Sequence, residues 1–102
     1  MSVLKITNEN FEEEVINSNK ITIIDFYADW CGPCKMMSPI IDKIAEENTD
    51  IKVGKLNVDE AQEIAARYNV MSIPTIILFK NGIEFKRLVG VTSKNNILNA
   101  LN

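Results

Sequence analysis

Two cysteines three positions apart are the residues of this 102-residue chain that are best suited to chemistry. Cys31 and Cys34 are its only cysteines, and they enclose Gly32 and Pro33 directly after the only tryptophan, Trp30. Two thiols at this spacing can close a small disulfide ring or supply half of a tetrahedral metal site. The motif by itself therefore leaves redox chemistry, metal binding and simple packing all open.

The chain contains no histidine, which narrows the chemistry that is open to the two thiols. Histidine-ligated zinc and nucleophiles activated by histidine are excluded. A closed zinc site needs four ligands, so two thiols would need two more ligands from a second chain. An interchain metal module is therefore one alternative, and any proton transfer must use carboxylates, thiols, lysines or water.

The composition is that of a folded domain, with 46% hydrophobic and 25% charged residues. We expect a single domain over residues 1–102. The net charge of −3 argues against non-specific nucleic-acid binding. Neither a signal peptide nor a run of membrane-spanning length is evident, so we expect a cytoplasmic protein that binds no membrane. In that compartment a close cysteine pair is more often catalytic or metal-binding than structural.

Hydrophobic periodicity predicts the element order β-α-β-α-β-α-β-β-α. Strands that alternate with helices predict a parallel section of sheet, and the Asn81-Gly82 turn predicts an antiparallel hairpin after it. The strands are expected at 3–6, 21–28, 51–58, 75–80 and 83–89. Four helices are expected, three of them capped by Asn10, Asp59 and Ser93, and one running from Pro33 to about Asn48 with Pro39 inside it.

The predicted position of the motif makes the two thiols unequal. Cys31 falls between a strand end and a helix N-terminus, where free backbone N–H groups and the helix dipole favour a thiolate. Cys34 falls one turn further along and should be less exposed. We therefore expect Cys31 to attack and Cys34 to resolve. Asp25 interrupts the apolar strand; it is either a locally capping residue or a buried acid with a raised pKa that can accept a proton.

The segment 25–35 (Asp-Phe-Tyr-Ala-Asp-Trp-Cys-Gly-Pro-Cys-Lys) resembles the active site of the thioredoxin family. Further matches cover essentially the whole chain: Pro39, 55–59 (Lys-Leu-Asn-Val-Asp), 73–75 (Ile-Pro-Thr), 79–82 (Phe-Lys-Asn-Gly) and 89–90 (Val-Gly). The resemblance implies the α/β thioredoxin fold, a central five-stranded mixed sheet in the order 3-1-2-4-5 flanked by four helices. It also implies that the last two strands run antiparallel to the first three. The chain differs from many family members at Tyr27, where those members have a second tryptophan.

The resemblance also implies roles for individual residues. Cys31 would attack a protein disulfide, Cys34 would resolve the mixed disulfide, and Asp25 would relay the Cys34 proton. Lys55 would lie near Asp25 as part of the catalytic site, and a solvated strand lysine is the alternative. The bond before Pro74 would be cis, against the usual preference for trans. The expected surface for substrates consists of Trp30, Gly32, Pro33, Ile73, Pro74, Gly90 and Val91.

The implied partners are a thioredoxin reductase and disulfide-containing proteins such as ribonucleotide reductase, peroxiredoxin and methionine sulfoxide reductase. The implied protein is a monomer with no bound cofactor beyond a reversible Cys31–Cys34 disulfide. An oxidase or isomerase on the same fold usually carries histidine between the cysteines, where this chain has Gly32 and Pro33. A redox-independent binding subunit of a larger assembly is the remaining alternative.

Overall fold

The computed structural model describes residues 3–102, which form one mixed sheet with helices on both faces. Its strands are β1 (Val3–Ile6), β2 (Thr22–Tyr27), β3 (Lys52–Asn57), β4 (Thr75–Lys80) and β5 (Ile83–Val89). Its helical segments are a π-helical turn (Glu12–Ile16), α1 (Gly32–Glu47), α2 (Gln62–Arg67) and α3 (Lys94–Ala100). The expected five-stranded α/β fold with four helices is confirmed. No helix in residues 3–102 has the length and apolar character needed to cross a bilayer.

The strands lie in the order β1-β3-β2-β4-β5, and β3 pairs in parallel with both β1 and β2. The positions of β1 and β3 are thus interchanged relative to the expected 3-1-2-4-5. Burial explains this placement, because a central strand must be covered on both faces. Val53 and Leu56 of β3 are fully buried, whereas Leu4 and Lys5 of β1 are exposed and suit an edge.

Only β4 runs antiparallel to the first three strands, so the expectation that both late strands do so is wrong for β5. A two-residue turn at Asn81 and Gly82, with φ values of 53° and 78°, joins the two strands. Positive φ at both central residues is the geometry of a tight hairpin. Because such a turn reverses the chain, β5 points back in the direction of β1, β2 and β3.

Alternation along β2 divides the core between the two faces of the sheet. Ile24 and Phe26 face the π-helical turn and α2, in a cluster that includes Phe11 and Phe79. Ile23 belongs to the opposite cluster, with residues of α1 and α3. Asp25 has the parity of Ile23, so the strand directs its carboxyl toward α1.

Of the three predicted helix caps, the structure has the one at Ser93 and lacks those at Asn10 and Asp59. Ser93 caps α3 as expected, since its Oγ accepts a hydrogen bond from Asn96 N at 3.0 Å. Asn10 does not cap the π-helical turn; its Oδ1 accepts from Thr7 N at 2.7 Å in the preceding turn. Asp59 does not cap α2, since the helix begins at Gln62 with Ala61 as its N-cap; the Asp59 carboxylate accepts a hydrogen bond from the Trp30 indole instead.

An aromatic cluster joins the π-helical turn, the end of α2 and β4, and it offers a test of the packing. The ring of Phe79 lies 6.1 Å from that of Phe11 and 5.4 Å from that of Tyr68, and Phe79 is 1% exposed. Phe79→Ala should lower the free energy of unfolding by about 3–5 kcal/mol, since it removes a buried ring and leaves a cavity. Denaturant unfolding of the oxidised protein measures this loss. The matched control is Phe85→Ala on β5, 38% exposed, which should cost less than about 1 kcal/mol; equal losses would contradict the assigned packing.

Candidate functional site

The junction between β2 and α1 positions the cysteine pair. β2 ends at Tyr27, and the chain turns through a hydrogen bond from Cys31 N to Ala28 O at 3.2 Å. Cys31 has extended backbone angles and forms the N-cap of α1, with Pro33 in the first turn. Cys31 and Cys34 are joined by a disulfide, with their Cα atoms 5.3 Å apart. The cysteines therefore sit where a strand end meets a helix N-terminus, as predicted.

The two sulfurs have different neighbours although the cysteines are equally buried. Each residue is 4% exposed, so the expected greater exposure of Cys31 is not present in the disulfide form. The Sγ atom of Cys31 accepts a hydrogen bond from Cys34 N at 3.1 Å and lies 3.8 Å from the carbonyl oxygen of Ile73. Cys34 instead lines a pocket beneath the helix end. Backbone N–H groups and the helix dipole at this end of α1 favour negative charge on Cys31.

Asp25 and Cys34 line the same pocket. The volume of this pocket is about 140 Å³. Asp25 is 4% exposed, and its Oδ1 has no hydrogen-bond partner. Burial raises the pKa of Asp25 from its ordinary 3.8 to about 7, and the nearby charge of Lys55 opposes this shift in part. The alternative of a locally capping aspartate is therefore wrong. A carboxyl group that titrates near neutral pH lies beside one of the two thiols.

Lys55 lies opposite Asp25 in the parallel pairing of β2 with β3. Its side chain lines the same pocket, and its Nζ lies 5.9 Å from the centre of the Tyr27 ring. The residue is nevertheless exposed. Lys55 thus borders the pocket and is also in contact with solvent, as long cationic side chains commonly are.

Trp30 projects into solvent beside the disulfide and is 71% exposed. Its Nε1 donates a hydrogen bond to Asp59 Oδ2 at 2.9 Å, which holds the indole in one orientation. Gly32 and Pro33 are exposed on the first turn of α1. The partnership with Asp59 crosses 29 positions of sequence, and no local pattern pointed to it.

The remaining surface residues come from the turns before and after the β4–β5 hairpin. The Ile73–Pro74 peptide bond is cis, as expected, and Pro74 is buried rather than exposed. Gly90 has a φ of 91° and donates from its N to Pro74 O at 2.8 Å, which joins the two turns. Val91 is 48% exposed. The next residue, Thr92, donates its N–H to the buried Met37 Sδ at 3.4 Å, a contact that the sequence did not reveal.

The structure therefore brings the sequence-predicted residues to one end of the sheet. The exposed ones surround the disulfide, and Asp25 and Lys55 lie on the pocket behind it. Residues 3–102 contain no group of three or more cysteine, aspartate or glutamate side chains placed to hold a metal ion. The arrangement can exchange a disulfide with a partner that reaches Cys31, and it places an acid beside Cys34.

Comparison with known proteins decides the family. A family model described as Thioredoxin matches residues 2–102. The chain belongs to the thioredoxin family. It is 46% identical over 103 residues to the thioredoxin of Pyropia yezoensis, an alignment that covers 100% of this chain and 96% of the relative. It is 46% identical to the thioredoxin of Mycobacterium tuberculosis (strain ATCC 25618 / H37Rv), over 98% of this chain and 87% of the relative.

A third relative, the thioredoxin of Rickettsia prowazekii (strain Madrid E), is 45% identical over 98% of this chain and 96% of its own length. Thioredoxins are protein-disulfide reductases, so this family member is a thiol–disulfide oxidoreductase. Its redox-active group is the Cys31–Cys34 disulfide. The family implies disulfide-containing clients and a reductase as partners in general.

The raised pKa of Asp25 predicts a pH-dependent stability. Between its ordinary pKa of 3.8 and about 7, the unfolded chain releases the Asp25 proton while the folded protein keeps it. The contribution of Asp25 to the free energy of unfolding is therefore most favourable below pH 3.8 and is lost as the pH rises through about 7. The loss should reach about 4 kcal/mol, since one unit of pKa corresponds to about 1.36 kcal/mol.

Urea unfolding of the disulfide form from pH 4 to pH 8 measures this dependence. Asp25→Asn should flatten the decline and be more stable than the parent protein at pH 8. Asp42→Asn, at an exposed position of α1, is the control and should retain the decline. If the stability of the parent protein does not fall with pH more steeply than that of Asp25→Asn, the raised pKa of the buried Asp25 carboxyl is contradicted.

Proposed function

We propose that this thioredoxin-family protein reduces protein disulfides with Cys31 as the nucleophile and Cys34 as the resolving thiol. The observation that carries the proposal is the hydrogen bond from Cys34 N to Cys31 Sγ, 3.1 Å long, at the N-terminus of α1. In the dithiol form, the same N–H and the helix dipole stabilise a thiolate on Cys31. The thiolate is the form of cysteine that attacks disulfides.

The exchange proceeds in two balanced steps. The Cys31 thiolate attacks one sulfur of the client disulfide, forms a Cys31–client S–S bond, and releases the other client sulfur as a thiolate. Cys34 then loses its proton and attacks Cys31 Sγ, so that the Cys31–Cys34 bond forms and the second client thiolate leaves. Two electrons pass from the protein dithiol to the client, which takes up two protons.

Asp25 is the proposed acceptor of the Cys34 proton. It shares the pocket with Cys34, and its pKa of about 7 lets it accept a proton at neutral pH and release it again. The pocket of about 140 Å³ has polar walls and room for water, so the transfer can pass through a water molecule. Lys55 moderates the pKa of Asp25 by its charge.

Clients are proposed to bind as extended segments across the exposed residues around the disulfide. The Ile73 backbone lies beside the reacting sulfur, 3.8 Å from Cys31 Sγ, where it can pair with a client strand. Trp30 supplies a broad apolar face that Asp59 holds in place. Gly90 has no heavy atom within 4 Å of where a Cβ would stand, so a client backbone can approach there. Gly32, Pro33 and Val91 complete the proposed surface, and the buried Pro74 contributes through the cis bond that orients the Ile73 backbone.

Membership of the thioredoxin family suggests specific partners for this protein. A thioredoxin reductase would restore the dithiol, and ribonucleotide reductase, peroxiredoxin and methionine sulfoxide reductase are proposed clients. The protein would act as a cytoplasmic monomer, and residues 1–102 would form a single domain. Support for the location comes from the reducing conditions that keep such a cysteine pair in its dithiol form.

The two cysteines can be separated by single substitutions. Cys31→Ser should reduce dithiothreitol-driven insulin reduction to the uncatalysed rate, because no nucleophile remains. Cys34→Ser should form a mixed disulfide with a client and hold it, because no resolving thiol remains. Mass spectrometry under non-reducing conditions detects the adduct. Activity that survives in Cys31→Ser, or an adduct that forms in Cys31→Ser and not in Cys34→Ser, would overturn the assignment.

The role of Asp25 has a kinetic test. Resolution of a preformed Cys31 mixed disulfide should accelerate as the pH rises through about 7, because the carboxylate form is the base. Asp25→Asn should lose this inflection and slow resolution on the order of 10²-fold near neutral pH, while mixed-disulfide formation changes less. Stopped-flow measurement of client thiol release follows the step, with Asp42→Asn as the control. An unchanged pH profile in Asp25→Asn would rule out the relay.

A further inference from the structure

A buried methionine of α1 holds the loop that follows β5. The Sδ atom of Met37 accepts a hydrogen bond from Thr92 N at 3.4 Å, across 55 positions of sequence. Met37 is 0% exposed and packs in the cluster between the sheet, α1 and α3. Because its acceptor is fully buried, the Thr92 N–H points into the protein rather than to water. Met37 thus supplies an acceptor that leucine or isoleucine at the same position would lack.

The loop that contains Thr92 carries part of the proposed client surface. Gly90 and Val91 directly precede Thr92, and Val91 is 48% exposed. One anchor of this loop is the hydrogen bond from Gly90 N to Pro74 O, 2.8 Å long. The bond from Thr92 N to Met37 is a second anchor, and it ties the loop to the helix that carries the cysteines.

The two anchors refer the loop to the same reacting sulfur. Met37 lies three positions after Cys34, about one turn of α1, and Cys31 is the N-cap of this helix. The other anchor, Pro74, directly follows Ile73, whose carbonyl oxygen lies 3.8 Å from Cys31 Sγ. The position of the client-facing backbone relative to Cys31 is therefore set from both sides.

The methionine side chain suits a position that must both fill the core and accept a hydrogen bond. Its thioether is apolar and adaptable enough for a packed cluster, and its sulfur is a weak acceptor. A hydrocarbon side chain of the same size would fill the cluster but leave the Thr92 N–H without a partner. An unpaired buried N–H is costly, so the loop would move outward until water reaches this group. Such a movement displaces Gly90 and Val91.

We propose that Met37 is a positioning residue for client binding, because its thioether holds Thr92 N and keeps the Gly90–Val91 backbone within reach of a client segment bound to Cys31. The proposal rests on the disulfide exchange proposed above and adds to it a residue outside the client surface. The effect of Met37 is confined to clients that contact the loop. A small disulfide that contacts Cys31 alone does not depend on it.

A kinetic test compares a protein client with a small disulfide. Met37→Leu keeps the core filled. It should raise KM for insulin about fivefold, the loss expected for one hydrogen bond, with kcat nearly unchanged, as for an interaction that only binds. The rate with the small aryl disulfide dithiobisnitrobenzoate should equal that of the parent. Met36→Leu is the matched control, since Met36 adjoins Met37 on α1 but is 63% exposed. It should leave both reactions unchanged.

Norleucine separates hydrogen bonding from packing, since it has the shape of methionine with a methylene group in place of sulfur. Protein grown with norleucine should show the same rise in KM for insulin as Met37→Leu. Met37→Leu grown with norleucine should show no further rise. NMR supplies a direct signature, because the Thr92 amide proton should exchange with solvent about tenfold faster in both altered proteins than in the parent. Met36→Leu should keep the parent rate.

The outcomes distinguish the loop from the cysteine pair. A Thr92 amide that stays as protected in Met37→Leu as in the parent would show that the thioether does not hold this N–H. Equal losses with insulin and with the aryl disulfide would mean that Met37 acts on the cysteines through α1. Unchanged kinetics beside a faster amide exchange would remove the anchor from client binding. Each of these results overturns the proposal and leaves the exchange reaction intact, whereas a parent protein that cannot reduce insulin would overturn the proposed function itself.

Discussion

The packing of the α1 N-terminus against the end of β2 is the constraint on which the rest of the site depends. Because β2 alternates its side chains, Asp25 shares a face with Ile23 and lies under the helix rather than in solvent. The same junction leaves Cys31 at the N-cap, where Cys34 N reaches its sulfur at 3.1 Å. One strand–helix junction thus places Asp25, an acid with a raised pKa, in the pocket of Cys34. It also places Cys31 at the N-terminus of α1.

The sheet then brings distant segments to this junction. Parallel pairing with β3 sets Lys55 opposite Asp25, and antiparallel pairing with β4 brings the turn before Thr75 to the same end. Ile73 consequently reaches Cys31, although 42 residues separate them in the chain. The cost is a desolvated carboxyl without a partner for Oδ1. Such a group weakens folding at neutral pH, and a burial of this kind is typical of sites where a shifted pKa serves chemistry.

Local patterns were reliable where one short-range rule governs the outcome. Asn81 and Gly82 form the expected hairpin because few other residues tolerate positive φ, and Ser93 caps α3 through a contact three residues away. The rules failed where a distant partner competed. Asp59 carries the sequence signature of a cap, yet its carboxylate accepts from Trp30 instead. The order of β1 and β3 was likewise misassigned, because pairing between strands leaves little trace within either strand.

The sequence by itself determined the element order, the reactive motif, its place at a helix N-terminus, and the family. These depend on periodicity, spacing and residue type, all of which are local properties. Only the tertiary structure decided that Asp25 is buried on the pocket of Cys34, and that Trp30 is held by Asp59. It alone revealed the recess between Trp30 and the turn that contains Met71 and Ile73. Burial, pKa and cavity shape arise from groups that are far apart in the chain, so no local pattern can encode them.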